Sequence, residues 1–214
     1  MAIWKCGCTR DHDARLVVLT GGPGAGKTAV IELIHHQFCP HVVVLPEAAG
    51  ILFSGGFPRR PSVVAKRAVQ RAVYRVQREL ERLALEERTA AIILCDRGTL
   101  DGAAYWPDEP PSFFQENETT VEAELARYRA VIHLRTPPAT NGYNHENALR
   151  TESAPEAAVI DLSILSLWKD HPRRHVVESA EHFLEKAARV VELVREEVPE
   201  CCRPPFPTAA AGHV

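Results

Sequence analysis

LTGGPGAGKTAV, the stretch from Leu19 to Val30, carries the strongest pattern in this sequence. It contains Gly-x-x-x-x-Gly-Lys-Thr, ending at Lys27 and Thr28. An apolar run, LVVL, leads into it, and a helix with apolar periodicity follows it. A strand, a glycine-rich turn and a helix start in this order form a cradle of backbone N–H groups beside the positive end of a helix. The stretch therefore predicts a site for the phosphate tail of a nucleotide.

Each part of this loop has an expected role. Lys27 would reach the β- and γ-phosphates, and the Thr28 hydroxyl would bind Mg²⁺. A glycine-rich turn that binds nothing is disfavoured, because the pattern is complete and stands in the right context. We expect ATP and Mg²⁺ as cofactors, although the loop itself does not distinguish ATP from GTP. The expected nucleotide contacts are Gly22, Pro23, Gly24, Ala25, Gly26, Lys27, Thr28 and Ala29.

The composition is that of an ordinary globular protein. Of the 214 residues, 45% are hydrophobic and 25% are charged, which suits one α/β domain. The formal net charge of −3 gives no bulk attraction for nucleic acid or acidic membranes. No apolar run reaches the length of a membrane span, and no leader-like apolar region opens the chain. We expect a cytoplasmic protein; the sequence does not indicate its oligomeric state.

Five apolar strands alternate with helices along residues 15–198. This alternation predicts an α/β fold with a five-stranded parallel sheet and helices on both faces. The strands are predicted at 16–20, 41–45, 90–95, 130–134 and 174–177, and the longest helix at 62–88. Outside the regular elements we predict an N-terminal tail at 1–14, an irregular aromatic insert at 105–114, a lid at about 135–152 and a disordered C-terminal tail at 199–214.

Carboxylates stand where two of the predicted strands end. Asp96 follows the apolar run AAIILC, the form of a Mg²⁺-binding aspartate that accompanies such loops. Glu47 follows the second strand, where it could accept a proton from an acceptor hydroxyl. The alternative for Glu47 is a surface acid at a helix start. Because parallel strands end at one edge of the sheet, both carboxylates should lie near the loop.

Three arginines complete the predicted site. Arg97 would bind the acceptor or the transferred group; the alternative is an ordinary ion pair in a loop. Arg135 and Arg150 lie at the two ends of the lid, whose closure could bring guanidinium groups to the γ-phosphate. We therefore predict catalytic roles for Lys27, Glu47, Asp96, Arg97 and Arg150, and a nucleotide contact for Arg135.

Six cysteines are present, and their spacing does not resemble a secreted disulfide framework. We expect reduced thiols. Cys6-x-Cys8 with His12, together with Cys201-Cys202, could be zinc ligands. This alternative is disfavoured, because the spacing is not that of a standard zinc finger and both clusters lie in predicted tails.

The motifs VVLTGGPGAGKT, VVVLPEAAG, AIILCDRGTLDGAAY and ALRTESAPEAAVIDLSIL resemble a P-loop family. This family groups the ribosylnicotinamide-kinase domain of a bacterial NAD regulator with a fly GTP-binding protein for photoreceptor channel trafficking. More distantly, residues 15–198 resemble deoxynucleoside and thymidylate kinases. The resemblance implies a three-layer P-loop NTPase fold, an acceptor-side base at Glu47, a metal- or acceptor-side pair at Asp96 and Arg97, and a lid arginine at Arg150. It also implies a base-reading glutamine, Gln70 or Gln77.

Three functions are compatible with these features. The first is a kinase that transfers the γ-phosphate of ATP to a small nucleoside-like acceptor; Glu47 and the lid favour it. The second is a nucleotide-dependent switch that binds a protein or a phospholipid head group, but the sequence has no GTP-reading Asn/Thr-Lys-x-Asp segment after a late strand. The third is action on nucleic acid. It is disfavoured, because the helix Arg67–Arg82 is the only stretch with a positive stripe and the chain as a whole is acidic.

Overall fold

A computed structural model of the chain describes residues 5–137, 153–179 and 183–203. In these residues, five parallel strands form one sheet in the order β2-β3-β1-β4-β5. Helices cover both of its faces, so the predicted three-layer α/β fold is confirmed. The strands are β1 (Arg15–Thr20), β2 (Val42–Leu45), β3 (Ile92–Asp96), β4 (Ala130–Leu134) and β5 (Arg174–Val177).

The helices begin where local capping signals predict them. Ser62 accepts a hydrogen bond from the Ala65 N–H, at 3.3 Å, and starts the longest helix. The Ser153 N–H donates to Glu156, at 2.8 Å, at the start of another. The α-helices are α1 (Lys27–Gln37), α2 (Ala48–Ser54), α3 (Val63–Glu87), α4 (Pro110–Glu116), α5 (Val121–Leu125), α6 (Ala154–Leu167) and α7 (Phe183–Glu197). Two 3-10 helices, Thr99–Tyr105 and Glu200–Cys202, accompany them.

The central strand β1 is buried on both faces, as its apolar run predicts. Alternate side chains enter two separate cores because successive residues of a strand point to opposite faces. The core between the sheet and helices α1 and α7 contains Val17, Leu19, Ile34, Val190 and Leu193. The core on the other face contains Leu16, Val18, Tyr74, Ile164 and Trp168.

The sheet order places the glycine-rich loop at the topological switch point, where β2 and β3 lie on one side of β1 and β4 and β5 on the other. Strand β1 pairs with β3 on one side and with β4 on the other, all in parallel register. The loops that follow these three strands therefore meet at one edge of the sheet. In open α/β sheets this crevice is where ligands bind.

Two predictions about irregular segments were wrong for part of their length. Helix α4, residues 110–116, begins inside the predicted irregular insert, with a proline at its first turn and with Phe113 and Phe114 buried. The predicted disordered tail begins with the 3-10 helix at residues 200–202, and Cys202 is fully buried. Both segments are ordered because their apolar side chains pack into the cores.

Some predicted features lie outside the described residues. These are most of the lid, with Arg150, the first four residues and the chain after residue 203. Within the described ranges, no helix is both long enough and apolar enough to cross a bilayer.

Candidate nucleotide-binding site

A cleft of about 730 Å³ opens at the edge of the sheet where the parallel strands end. Its size is that of a typical small-molecule site. Gly22, Ala29 and Arg135 do not line it, although the sequence predicts nucleotide contacts for them. The predicted site residues that do line it are Pro23, Gly24, Ala25, Gly26, Lys27, Thr28, Glu47, Asp96 and Arg97.

Two glycines of the loop have conformations and surroundings that exclude a side chain. Gly21 has a φ of 136°, and a Cβ there would lie 2.0 Å from the Leu134 carbonyl oxygen. Gly26 has a φ of 92°, and a Cβ there would lie 2.8 Å from the Phe183 ring. The loop can therefore curl tightly only with glycine at these positions.

Lys27 lies inside the curl of the loop. Its Nζ donates to the carbonyl oxygens of Gly21, at 2.9 Å, and Gly22, at 3.2 Å. Burial and the nearby positive charge of Arg97 together lower the pKa of Lys27 to about 8, against the opposing effect of the Asp96 and Glu47 charges. An ammonium group held here by two neutral carbonyls can form stronger, charge-assisted contacts with phosphate oxygens.

Asp96 has the properties expected of a magnesium ligand. Its Oδ1 atom is buried and has no hydrogen-bond partner among the described residues. Burial, reinforced by the charge of Glu47 and opposed by that of Lys27, raises the pKa of Asp96 to about 6. A divalent cation would satisfy the unpaired oxygen, and the Thr28 hydroxyl lines the same cleft. The residues therefore fit the Mg²⁺ that the loop implies.

Arg97 joins the end of β3 to the end of β2 and to the loop. Its Nε donates to Glu47 Oε1 at 2.6 Å, and its NH1 donates to the Gly21 carbonyl oxygen at 3.2 Å. Arg97 also has a φ of 76°, a left-handed conformation that a non-glycine residue adopts at a cost of about 1–3 kcal/mol. The ion pair that the sequence left as the alternative for Arg97 thus exists, and it orients Glu47 beside the loop.

Asp101 is a buried acid of the site that the sequence reading missed. It accepts hydrogen bonds from Thr20 Oγ1 at 2.5 Å and from Trp168 Nε1 at 2.7 Å. Arg97 NH1 lies 3.6 Å from Asp101 Oδ2, the oxygen that also accepts from Thr20. The available signal was a second aspartate in the segment DRGTLD, shortly after the strand end.

Asp161, on α6, is the second acid that the sequence reading missed. Its Oδ1 accepts from the Gly22 N–H at 2.9 Å and contacts His133 Nε2 at 3.0 Å, and its Oδ2 accepts from Arg135 Nε at 2.7 Å. Arg135, for which the sequence predicts a nucleotide contact, pairs here with Asp161 and does not line the cleft; the contact itself stays a prediction. Lys186 adds to this support by donating to the carbonyl oxygens of Ala25 and Arg135.

We expect Asp161→Ala to lower the free energy of unfolding by about 1.5–3 kcal/mol, because the variant leaves buried donors without their charged acceptor. It should also weaken ATP binding, since the Gly22 N–H loses its anchor. Urea denaturation and nucleotide titration measure the two effects. Asp170→Ala removes an exposed aspartate just after α6 and serves as the control. Equal stability of the two variants would contradict the role of Asp161.

The pKa of Lys27 leads to an expected proton uptake. Without nucleotide, Lys27 has a pKa of about 8. Phosphate oxygens beside it would favour the charged form and raise that pKa. Binding at pH 8 should therefore take up protons, and affinity should fall as the pH rises above 8. Calorimetry in two buffers of different ionisation enthalpy measures this uptake, and proton release instead would contradict the placement of Lys27.

The far end of the cleft is lined by α2, α3 and the 3-10 helix Thr99–Tyr105. Of the two glutamines that the resemblance implies, Gln77 donates to Glu81 at 2.8 Å and is buried, whereas Gln70 is half-buried.

The basic face of α3 is largely neutralised by ion pairs, as the sequence favours for the distal half of this helix. These pairs are Arg67–Asp108, Arg71–Glu116, Arg78–Glu124 and Arg82–Glu79. The cleft lining at this end includes Phe53, Arg59, Arg60, Lys66, Gln70, Tyr105 and Trp106.

The aromatic insert contributes to both the core and the cleft. Phe113 is fully buried and packs edge-to-face on Trp106, with ring centroids 5.6 Å apart, and on Tyr74, at 6.0 Å. Tyr105 and Trp106 border the cleft. Phe113 thus shows the local packing that the sequence left as an alternative, and only the first two aromatic residues of the insert can reach a ligand.

Comparison with known proteins identifies the family and the fold. A family model described as an AAA domain matches residues 16–186. The NadR protein in complex with NR shares the fold with a TM-score of 0.67 and 12% identity, over 88% of this chain and 52% of that chain. No match was found among curated protein sequences.

Two further solved structures share the fold. NadR in complex with NAD and AMP-PNP has a TM-score of 0.59 and 13% identity, over 86% of this chain and 49% of that one. Thymidylate kinase from Candida albicans has a TM-score of 0.59 and 16% identity, over 86% of this chain and 92% of that one. The chain thus spans about half the length of the NadR chains. The resemblance to P-loop kinase-like proteins is confirmed at the level of family and fold.

Proposed function

We propose, since the chain belongs to the AAA-domain family, that it is a Mg·ATP-dependent kinase that transfers the γ-phosphate to a nucleoside- or nucleotide-like acceptor. The observation that carries this proposal is the meeting of Lys27, Asp96 and the Glu47–Arg97 pair in one cleft. Phosphoryl transfer requires mainly positioning and positive charge around the migrating group, with a base near the attacking hydroxyl. These residues can meet each requirement.

At the nucleotide end, the backbone N–H groups of the loop and the Lys27 ammonium bind the phosphate tail. Thr28 and Asp96 would hold Mg²⁺, which when bound neutralises charge on the β- and γ-phosphate oxygens. Asp161 keeps the Gly22 N–H in place through its 2.9 Å hydrogen bond. Arg150 remains a proposed lid arginine, outside the described residues.

At the acceptor end, Glu47 is the proposed base. Arg97 holds its Oε1 and leaves the carboxylate partly exposed at the cleft, with 36% of the side chain accessible. A hydroxyl of the acceptor placed beside Glu47 could then lose its proton as it attacks the γ-phosphate. Arg97, whose own side chain is 15% exposed, would orient the acceptor or the transferred group.

The lining of the far end supports an acceptor with a ring and polar groups. Tyr105 and Trp106 offer aromatic faces or edges, and Gln70 offers an amide that can donate and accept hydrogen bonds. The neighbours that share the fold are consistent with such an acceptor: NadR is named in complex with NR, and another is named thymidylate kinase. A ring held between these side chains would present its sugar hydroxyl towards Glu47.

A transfer assay tests this proposal. The full chain is incubated with Mg²⁺, γ-labelled ATP and a panel of nucleosides and nucleoside monophosphates, and products are separated by chromatography. We expect label in one class of acceptor. Label found only in inorganic phosphate, whatever the acceptor, would overturn the kinase proposal. Repeating the panel with GTP determines the donor.

One observation favours a second candidate, a nucleotide-dependent switch that binds a phospholipid head group or a protein. Arg60 and Lys66 are exposed where they line the cleft, and Arg59 lies beside them. A cationic border would attract a phosphorylated ligand such as a phospholipid head group. Slow ATP or GTP hydrolysis without transfer, accompanied by nucleotide-dependent binding of anionic vesicles, would support the switch.

A further inference from the structure

Five of the six cysteines and two histidines meet at one place, at the edge of the sheet opposite the nucleotide cleft. Because the strands are parallel, the segments before β1 and β2 lie at the same edge, and α7 returns the chain to it. Each segment brings potential metal ligands. They are Cys6, Cys8 and His12 before β1, Cys39 and His41 between α1 and β2, and Cys201 and Cys202 after α7.

The first group of four consists of Cys6, Cys39, His41 and Cys202. Their ligand atoms all lie within 4.8 Å of one another. The Cys6 Sγ is 3.2 Å from His41 Nδ1 and 3.8 Å from the Cys202 Sγ. His41 Nδ1 is also 3.8 Å from the Cys39 Sγ and 3.3 Å from the Cys202 Sγ.

The second group consists of Cys8, His12, Cys201 and Cys202, again with all ligand atoms within 4.8 Å of one another. His12 Nε2 is 3.4 Å from the Cys8 Sγ and 3.3 Å from the Cys202 Sγ. The Cys201 and Cys202 sulfur atoms are 4.0 Å apart. Cys202 therefore belongs to both groups and lies between them.

These separations are those of ligands around tetrahedral zinc. Zn–S bonds of about 2.3 Å and Zn–N bonds of about 2.0–2.1 Å give tetrahedral edges of about 3.8 Å between two sulfurs and about 3.5 Å between sulfur and nitrogen. The distances given above are 3.8 and 4.0 Å between sulfurs and 3.2 to 3.8 Å between sulfur and nitrogen, and the remaining ligand pairs of each group lie within 4.8 Å. Three cysteines and one histidine are also a common ligand set for structural zinc.

A cluster of simple thiols explains the arrangement less well. Thiols are weak hydrogen-bond partners, yet the ring nitrogens of His12 and His41 both point at sulfur. His41 is held there by its backbone, since its carbonyl oxygen accepts from the N–H groups of Ala91, at 2.7 Å, and Ile92, at 3.1 Å. The ring nitrogens of both histidines converge on the buried sulfur of Cys202. This is the arrangement expected when one thiolate bridges two metal ions and each ion also has a histidine ligand.

We propose that these seven side chains bind two zinc ions, with the Cys202 thiolate bridging two positions of four ligands each. Binding releases five thiol protons to solvent and oxidises nothing. Five thiolates and two Zn²⁺ ions leave a net charge of −1, which a partly buried site can tolerate. The Arg10 N–H donates to the Cys8 Sγ at 3.5 Å and would stabilise the thiolate.

The role of this site is structural. Each ion has four protein ligands, so no position is open for a substrate. The ions would cross-link three segments of the chain: the one before β1, the one after α7 and the connection between α1 and β2. This also accounts for the order of residues 200–202, where the sequence predicts a disordered tail.

Metal analysis of the full-length wild-type protein tests the proposal. The protein is purified without chelators and then dialysed against a weak chelator, which removes loosely bound metal. We expect two zinc ions per chain. One ion per chain would overturn the bridged arrangement. No zinc, with five titratable thiols or a disulfide in their place, would overturn the site. These outcomes do not depend on nucleotide binding or on any enzymatic activity.

Substitutions locate the ions. Cys202→Ala should lose both, because it removes the shared ligand, whereas Cys8→Ala should lose only one. Cys95→Ala is the matched control: Cys95 is buried in the other core, away from the cluster, and this variant should retain two. Retention of both ions by Cys202→Ala would contradict the bridge. If a variant fails to fold, cobalt substitution of the wild-type protein still determines whether the thiolates bind a metal ion. Tetrahedral thiolate ligation of Co²⁺ gives intense visible and charge-transfer absorption, and other ligation does not.

Discussion

Lys27→Ala is expected to abolish the thermal stabilisation that Mg·ATP confers on the wild-type protein. A ligand present at 100 times its dissociation constant stabilises a folded protein by about 2.7 kcal/mol. For a chain of this size, that corresponds to a rise in Tm of roughly 5–10 °C. The variant loses the buried ammonium group that contacts the loop carbonyls at 2.9 and 3.2 Å and that would contact the phosphates. Differential scanning fluorimetry with and without Mg·ATP measures the loss.

The same variant should transfer phosphate about 10²–10³ times more slowly, because one preorganised positive group is missing from the transition state. Lys169→Ala, which removes an exposed lysine just after α6, is the matched control and should behave as wild type. If Lys27→Ala kept the full Mg·ATP stabilisation, the assignment of the glycine-rich loop to phosphate binding would be withdrawn.

Glu47→Gln is expected to slow phosphate transfer by about 10²–10⁴, the usual contribution of a general base. The amide has nearly the shape of the carboxylate, and its oxygen can still accept from Arg97 Nε, which now lies 2.6 Å from Glu47 Oε1. Stabilisation by Mg·ATP should therefore be retained. The expected pattern is a lower kcat with intact nucleotide binding, measured by the transfer assay and by fluorimetry.

Glu86→Gln, at an exposed position near the end of α3, controls for the loss of one negative charge. If Glu47→Gln left transfer unchanged, Glu47 would be only a structural partner of Arg97. If wild type and variant both released inorganic phosphate at the same rate and labelled no acceptor, the switch would replace the kinase as the better proposal.

Local patterns in the sequence predicted most of the fold. The bounds of β4 and β5 were predicted correctly, and Ser62 caps the longest helix as expected. Local signals such as short apolar runs, capping side chains and helix breakers act over a few neighbouring residues. The secondary structure of a segment can therefore be predicted from that segment alone. The convergence of Glu47, Asp96 and Arg97 on the loop was also predictable, because parallel strands end at one edge.

Other features of the site could not be read from neighbouring residues. Asp161 holds the loop from a distant helix, and Arg135, a plausible phosphate contact in the sequence, is paired with it at 2.7 Å. Asp101 accepts a hydrogen bond from Trp168, at the C-terminal end of the same helix α6. Contacts between residues so far apart in the chain depend on how the helices pack on the sheet.

The sequence by itself determined the glycine-rich loop, the alternation of strands and helices, and the acids at the strand ends, because these follow from local backbone preferences and apolar periodicity. Only the tertiary structure decided which charged groups face the cleft, which ones support the loop, and that cysteines from both ends of the chain surround Cys202. The physical reason is that ion pairing, burial and metal ligation depend on distances of a few ångströms, and packing sets those distances between residues that are remote in the chain.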